Sequence, residues 1–220
     1  MLPLELLPEN LPADPLPLFE GWFLDARQVA SQPNPDSMVL ATVGAEGQPS
    51  ARVVLCKRLN LDLGYIVFFT NYLSRKGREL QAHPRAAAVF HWDALHRQVR
   101  IEGRITVSPG EESDQYFASR ALDSRIGAWA SEQSTPLASR DALASRVRAV
   151  AERFGVEPGA MQGTVPRPSH WGGFRLWIEA IELWSEGANR VHDRAVWTRS
   201  LTRDGDEFRG GSWRATRLYP

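Results

Sequence analysis

Four short segments combine residue types that could bind or transform an anion. In Thr70-Asn-Tyr-Leu-Ser-Arg-Lys-Gly77 a strand-like run ends, Ser74 can cap the helix that follows, and Arg75 and Lys76 fall in its first turn. Cations are unfavourable there, because a helix N-terminus is already the positive end of the dipole. Two of them make sense if an anion occupies the site, and a phosphate suits it; the alternative is a pair of solvated side chains. In Arg52-Val-Val-Leu-Cys-Lys57 a lysine closes an apolar run, where it must snorkel at a sheet edge or meet a charge. Strict alternation puts Arg52 and Lys57 on opposite faces, so they should serve different anions. In Tyr116-Phe-Ala-Ser-Arg120, followed by Ser124, the i,i+4 spacing sets a phenol beside a guanidinium with a hydroxyl one turn on. That group can clasp a phosphate or form a surface Tyr–Arg stack. In Arg190-Val-His-Asp-Arg194 a strand would aim Arg190, His192 and Arg194 at one face. Such a row repels itself unless it meets an anionic or polar ligand, or guards an edge strand against aggregation.

The elements that must position these groups follow from periodicity. Leu18, Phe19, Trp22, Phe23 and Ala26 recur at helical spacing within Leu16–Ala30, after a Pro-rich, extended arm over residues 1–16. Strands are expected at Met38–Val43, Ser50–Lys57, Tyr65–Thr70 and Ala86–Trp92. The clearest alternation sets Val99, Ile101, Gly103, Ile105 and Val107 against Arg100, Glu102, Arg104 and Thr106. Helices are expected at Glu111–Arg120, Ser124–Ser131 and Ser139–Phe154, then a loop over 155–171. Strands at Phe174–Trp184, Arg190–Thr198 and Trp213–Leu218 complete the chain. Many strands with short connections and no β-α-β rhythm imply a mainly β protein: an antiparallel barrel or sandwich with peripheral helices. No linker divides residues 17–220, which read as one domain.

Composition bounds the function. The 220 residues carry 26 Lys+Arg against 26 Asp+Glu, so the net charge is zero and the basic surplus of a nucleic-acid or membrane-surface binder is absent. Lys57 and Lys76 are the only lysines. Hydrophobic residues make up 43% and include eight Trp, enough for a buried core. No apolar run reaches the ~18–20 residues of a membrane span. Residues 1–14 lack the basic start of a signal peptide. The single Cys56 cannot form an internal disulfide, and no Cys/His spacing or HExxH suggests a metal. There is also no GxGxxG after a strand and no GxxxxGK[ST], which disfavours a Rossmann or P-loop site. The expectation is a cytoplasmic protein without a bound metal.

In register, the segments Arg52–Lys57, Thr70–Lys76, Arg97–Val99, Tyr116–Arg120, Asp123–Ser134, Trp171–Arg175 and Arg190–Arg194 resemble the pyridoxamine/pyridoxine 5′-phosphate oxidases from about Leu11 to Pro220. The resemblance implies an FMN-binding split β-barrel, a homodimer with FMN in a cleft between subunits. It implies that Arg52, Arg75, Lys76, Gln133 and Ser134 hold the FMN phosphate and neighbouring groups, with Val53, Lys57, Phe69, Thr70, Gln98, Trp184 and Arg194 lining the rest of the flavin site. Lys57, Tyr116, Arg120 and Ser124 would hold the phosphate of a B6 vitamer, with Arg190 and His192, the catalytic pair, against its ring. The implied reaction oxidises the substrate C4′ carbon by hydride transfer to the flavin. O2 then takes up the electrons and yields H2O2. A related flavin oxidase acting on a phenazine precursor is the alternative of the same fold, and a non-catalytic flavin or pyridoxal-phosphate carrier the alternative of another class. Departures from the family pattern are an arm over residues 1–14 without Arg, Lys or Tyr, Phe69 where Tyr is common, Cys56 in place of an aliphatic, and an insertion-like stretch at Val156–Gly163.

Overall fold

The computed structural model describes residues 5–29, 31–157 and 160–220. Helix α1 (Leu16–Gln28) begins behind Pro15 and buries Leu16, Phe19, Trp22, Phe23 and Ala26; of the expected stripe Leu18 alone is only partly buried. Ala30, the expected last residue of this helix, lies outside the described residues. Strands β1 (Ser37–Val43), β2 (Pro49–Leu55), β3 (Arg58–Asn60) and β4 (Tyr65–Asn71) come next. Helix α2 (Arg75–Ala82) leads into β5 (Arg85–Trp92) and β6 (Arg97–Val107). Helices α3 (Gly110–Ser119), α4 (Leu122–Ala130) and α5 (Arg140–Arg153) are followed by the long strand β7 (Trp171–Ser185). β8 (Asp193–Thr198), the hairpin β9 (Leu201–Asp204) and β10 (Glu207–Gly210), and β11 (Arg214–Leu218) end the chain.

Every strand pair is antiparallel. The main sheet runs β11-β8-β7-β6-β5-β1-β2, with β3 and β4 attached through β7. β7 pairs with β6 along one edge, while its other edge pairs with β4 over Trp171–Trp177 and with β8 over Ala180–Ser185. That shared edge curls the sheet into a half-barrel. The register between β6 and β7 shifts between Glu102 and Gly103, as at a β-bulge. A β-carbon on Gly103 would lie 1.8 Å from the Trp177 carbonyl oxygen, so only glycine fits.

The core lies between α1 and the sheet. Phe19 and Phe23 meet Phe90 at centroid distances of 5.7 Å each, and Phe23 meets Trp92 edge-on at 5.9 Å. Each such fully buried side chain stabilises the fold by about 1.5–3 kcal/mol. Residues 5–15 carry no helix or strand but are pinned along their length. Leu7 N–H donates to Asp193 Oδ2 at 2.9 Å, Trp197 Nε1 to the Pro12 carbonyl at 2.8 Å, and Arg217 to the Pro8 carbonyl at 2.8 Å. Arg97, 5% exposed, pairs with Glu5 and Asp25 and lies over the Trp22 ring.

The structure alters three sequence expectations. Residues 190–192 are not strand: Ala188–Arg190 form a 3-10 turn in which Asn189 and Arg190 have φ of 56° and 65°, and β8 starts only at Asp193. The chain ends of β7 and β8 must be joined by a tight reversal, which left-handed residues supply. Second, β2 ends at Leu55, before Lys57. Third, residues 201–210 form the β9–β10 hairpin, closed by the two-residue turn Gly205-Asp206 with Gly205 at φ 62°, an element that periodicity does not reveal.

Candidate functional site

The turn from β4 into α2 gathers cations at a capped helix start. Asn71 Oδ1 accepts from Leu73 N–H at 2.7 Å, and Ser74 Oγ accepts from Gly77 N–H at 3.2 Å as the N-cap. A β-carbon on Gly77 would stand 2.2 Å from the Tyr72 carbonyl oxygen, so the turn closes this tightly only over glycine. Lys76 is 8% exposed, and its Nζ donates to Gln133 Oε1 at 3.0 Å and Ser74 Oγ at 3.3 Å, with no carboxylate partner among the described residues. Burial, and then the charge of Arg52, pull its pKa down to about 8. Arg52 reaches in from β2, donating to Thr42 Oγ1 and Ser50 Oγ, both at 2.5 Å, and to Glu79 Oε2 at 3.2 Å. Arg75 Nε donates to Glu79 Oε1 at 2.8 Å. Burial disfavours the Glu79 carboxylate, but hydrogen bonds from Thr42, Ser50, Arg75 and Arg52 outweigh it and hold the pKa at about 2. Three cations against one carboxylate leave a surplus that matches a phosphate monoester of about −1.5 to −2. Ser134, at φ 70°, lines the same cleft, and left-handed backbone at a non-glycine residue is characteristic of ligand clamps.

The Lys57, Tyr116, Arg120 and Ser124 cluster shares this cleft. α3 is fixed to β7 by Arg175 Nε donating to Glu112 Oε2 at 3.1 Å and Gly173 N–H donating to Ser113 Oγ at 3.1 Å. One turn on, Tyr116 stacks on Phe69 at 4.0 Å and 15°, and Phe69 lies nearly parallel to Trp171 at 5.6 Å. The Arg120 guanidinium sits 4.6 Å from the Trp171 ring centroid. Its Nη1 is buried without a hydrogen-bond partner, and burial lowers its pKa. Lys57 and Ser124 complete the group, and Lys57 Nζ has no partner among the described residues. The expectation that Arg52 and Lys57 face opposite sides fails. Past Leu55 the chain leaves the strand, Lys57 N–H donates to the Val67 carbonyl at 2.8 Å, and both side chains line one cleft. Phe69, Thr70, Val53, Arg75, Lys76, Gln133 and Ser134 line it too. Its volume is about 880 Å3, within the ~300–1,000 Å3 of small-molecule and cofactor sites.

Gln98, Trp184, Arg190, His192 and Arg194 are not in this cleft. Gln98, Trp184 and Arg194 lie side by side across β6, β7 and β8. The His192 ring lies 4.6 Å from Trp184, and its Nδ1 accepts from Gly187 N–H at 3.3 Å, which leaves Nε2 to carry the proton. Arg194 holds Glu182 Oε1 through Nε at 3.0 Å and Nη2 at 2.8 Å. Arg190 is exposed and has no polar partner among the described residues. On β7 the cleft is touched near Gly173, paired with Phe69, and the second group at Trp184. Eleven residues of strand separate them, about 36 Å at ~3.3 Å per residue. One chain therefore carries the two groups towards opposite ends of one strand.

A family model described as pyridoxamine 5′-phosphate oxidase matches residues 24–154, and one described as the pyridoxine 5′-phosphate oxidase C-terminal dimerisation region matches residues 171–220. The chain belongs to the pyridoxamine 5′-phosphate oxidase family. It is 51% identical over 207 residues to the pyridoxine/pyridoxamine 5′-phosphate oxidase of Burkholderia cenocepacia (strain HI2424), covering 94% of this chain and 89% of that one. The enzyme of the same name from Gluconobacter oxydans (strain 621H) is 47% identical over 212 residues, 96% of each chain. Among solved structures, PhzG from Burkholderia lata 383, in complex with tetrahydrophenazine-1-carboxylic acid, superposes with a TM-score of 0.78 at 30% identity, covering 95% of this chain and 94% of the other. A pyridoxamine 5′-phosphate oxidase-related, FMN-binding protein from Nostoc punctiforme PCC 73102 has a TM-score of 0.66 at 15% identity, over 93% and 96% of the two chains, and shows the fold alone. That fold is the expected split barrel. The chain is thus an oxidase of this family.

Sequence reasoning missed Glu79, the hub between Arg52 and Arg75, although the i,i+4 spacing of Arg75 and Glu79 was there to be read. It also gave no role to Trp171 or Glu112, which meet the site only through the pairing of β7 with β4 and the docking of α3. Among the described residues no three His, Cys, Asp or Glu side chains cluster to hold a metal, and no helix is long and apolar enough to cross a membrane.

Proposed function

We propose that this protein is an FMN-dependent oxidase that converts pyridoxamine 5′-phosphate and pyridoxine 5′-phosphate to pyridoxal 5′-phosphate, with O2 as acceptor and H2O2 as by-product. The observation that carries this reading is one cleft with two separate sets of cationic and hydroxyl donors, a cofactor phosphate and a substrate phosphate being the natural pair of occupants. Arg52, Arg75, Lys76, Gln133 and Ser134 would hold the FMN phosphate, and the buried, carboxylate-free Lys76 fits that role. When bound, FMN supplies the two-electron oxidant. Lys57, Tyr116, Arg120 and Ser124 would grip the substrate phosphate with two charged and two neutral donors. The stacked Phe69, Tyr116 and Trp171 rings would form an apolar wall beside it. Arg190, otherwise unpaired, would orient the substrate and stabilise charge at the reacting carbon's substituent. His192, its Nδ1 occupied, would donate from Nε2 to a polar ring substituent.

The active unit in this reading is a homodimer. Residues 171–220, matched by a model described as a dimerisation region, carry Trp184, Arg190, His192 and Arg194. The edge strand β2 exposes Val53 (65%) and Leu55 (42%), apolar surface beside the cleft that a second copy would cover. The half-site of one subunit would then complete the cleft of the other. The reading also takes the protein to act in the cytoplasm.

Purified protein should be yellow and release FMN on denaturation. Colourless protein that takes up no FMN would refute the flavin reading. The likeness to PhzG supports a second reading, a phenazine precursor as substrate; the Lys57, Tyr116, Arg120 and Ser124 cluster, of no use to an unphosphorylated substrate, favours the B6 phosphates.

A further inference from the structure

We propose that Glu79 is the positioning residue of the phosphate cradle, holding Arg52 and Arg75 in the geometry in which both can meet one phosphate; the proposal rests on the flavin reading above. Glu79 lies on the second turn of α2, 7% exposed, beneath the helix N-terminus. Its two oxygens divide the work. Oε1 accepts from Arg75 Nε at 2.8 Å, and Oε2 accepts from Thr42 Oγ1 at 2.5 Å, Ser50 Oγ at 2.7 Å and Arg52 Nη2 at 3.2 Å. Three elements are tied at one carboxylate: β1 through Thr42, β2 through Ser50 and Arg52, and α2 through Arg75.

The contact to Arg75 uses only Nε. Both terminal nitrogens, the fork that meets a phosphate face-on, are left free. The Arg75 side chain is 57% exposed and would otherwise sample many rotamers above the cleft. Anchoring it before the ligand arrives removes that ordering cost from binding. Glu79 also offsets one of the three charges gathered by Arg52, Arg75 and Lys76. Without it, three cations would share a half-buried cradle with no carboxylate among them, since Lys76 itself has no carboxylate partner among the described residues. Glu79 itself need touch neither flavin nor substrate.

The test is flavin affinity. Apoprotein, prepared by stripping bound flavin, is titrated with FMN and with riboflavin, which lacks the phosphate, by quenching of flavin fluorescence. Glu79→Ala should weaken FMN binding roughly tenfold or more and leave riboflavin affinity unchanged. Glu79→Gln, which keeps one acceptor oxygen, should recover part of the loss. In an Arg75→Ala background Glu79→Ala should cost less than it does alone, because the two act as one unit. If Glu79→Ala does not fold, Arg75→Lys is the second arm: it keeps the charge but cannot donate to Glu79 from one nitrogen and to phosphate from two others. It should weaken FMN and not riboflavin. Equal weakening of FMN and riboflavin, or FMN affinity unchanged in either variant, would overturn the role of Glu79. Wild-type apoprotein that binds no FMN would instead overturn the flavin reading on which the proposal rests.

Discussion

An active site shared between two chains can be tested by complementation. The perturbation is a heterodimer in which one subunit carries Arg120→Ala and its partner carries Arg190→Ala. The structure sets the expected magnitude: Arg120 lines the cleft near Gly173, whereas Arg190 follows the far end of β7, about 36 Å away along the strand at ~3.3 Å per residue. A site assembled within one chain would leave every site of the heterodimer with one lesion. If clefts are completed across the interface, one site collects both lesions and the other collects neither. Each single lesion is severe. Losing a charge-assisted contact costs about 1.5–3 kcal/mol, roughly 10- to 150-fold in kcat/KM, and losing a group that stabilises developing charge costs on the order of 100-fold or more. Both parental homodimers should therefore be nearly inactive. The heterodimer, isolated through two different affinity tags after co-expression, should recover about half the wild-type turnover per dimer, since one of its two sites is intact. An oxygen-coupled assay at subsaturating pyridoxine 5′-phosphate gives the readout. A heterodimer no more active than its parents would refute the shared site.

Other perturbations probe single parts of the account. Because the Lys76 pKa is lowered from its ordinary 10.5 to about 8, the ligand-free protein loses this charge as pH rises through about 8. FMN affinity should fall between about pH 7 and pH 9 while riboflavin affinity stays level, and Lys76→Met should flatten the profile. The same depressed pKa means that the unfolded chain binds more protons between about 8 and 10.5, so in denaturant titrations this group makes the ligand-free protein more stable as pH rises through that window. Lys57→Arg keeps the charge but replaces a compact ammonium by a planar fork; KM for the phosphorylated substrate should rise roughly 3- to 30-fold, with kcat changing less. Gly103→Ala would drive a β-carbon to 1.8 Å from the Trp177 carbonyl oxygen. It should destabilise the fold by on the order of 3 kcal/mol, lowering Tm by roughly 6–12 °C in a thermal melt.

The parts legible in the sequence were those set by local chemistry. The alternation through Val99–Val107 became β6, the Phe19–Trp22–Phe23 stripe became the buried face of α1, and Ser74 and Ser139 cap α2 and α5 as their types suggest. The cation pair Arg75–Lys76 was visible as an anomaly at a helix start. Long-range relations were hidden. Arg52 and Lys57 share a cleft because β2 ends two residues before the lysine, which alternation within a single run cannot reveal. The 190–194 segment reads as strand by spacing, yet the reversal between β7 and β8 forces Asn189 and Arg190 into left-handed backbone. Glu112 and Glu79 look like surface carboxylates in sequence. Both are buried because arginines from distant strands arrive to pair with them, Arg175 on the first and Arg52 on the second.

The central claim is tested most directly by an oxygen electrode. Purified, FMN-loaded protein is supplied separately with pyridoxamine 5′-phosphate, pyridoxine 5′-phosphate and a tetrahydrophenazine carboxylic acid. The account predicts oxygen uptake with both B6 phosphates, matched by pyridoxal 5′-phosphate and H2O2, and little with the phenazine. Yellow protein inert towards both B6 phosphates yet oxidising the phenazine would contradict it.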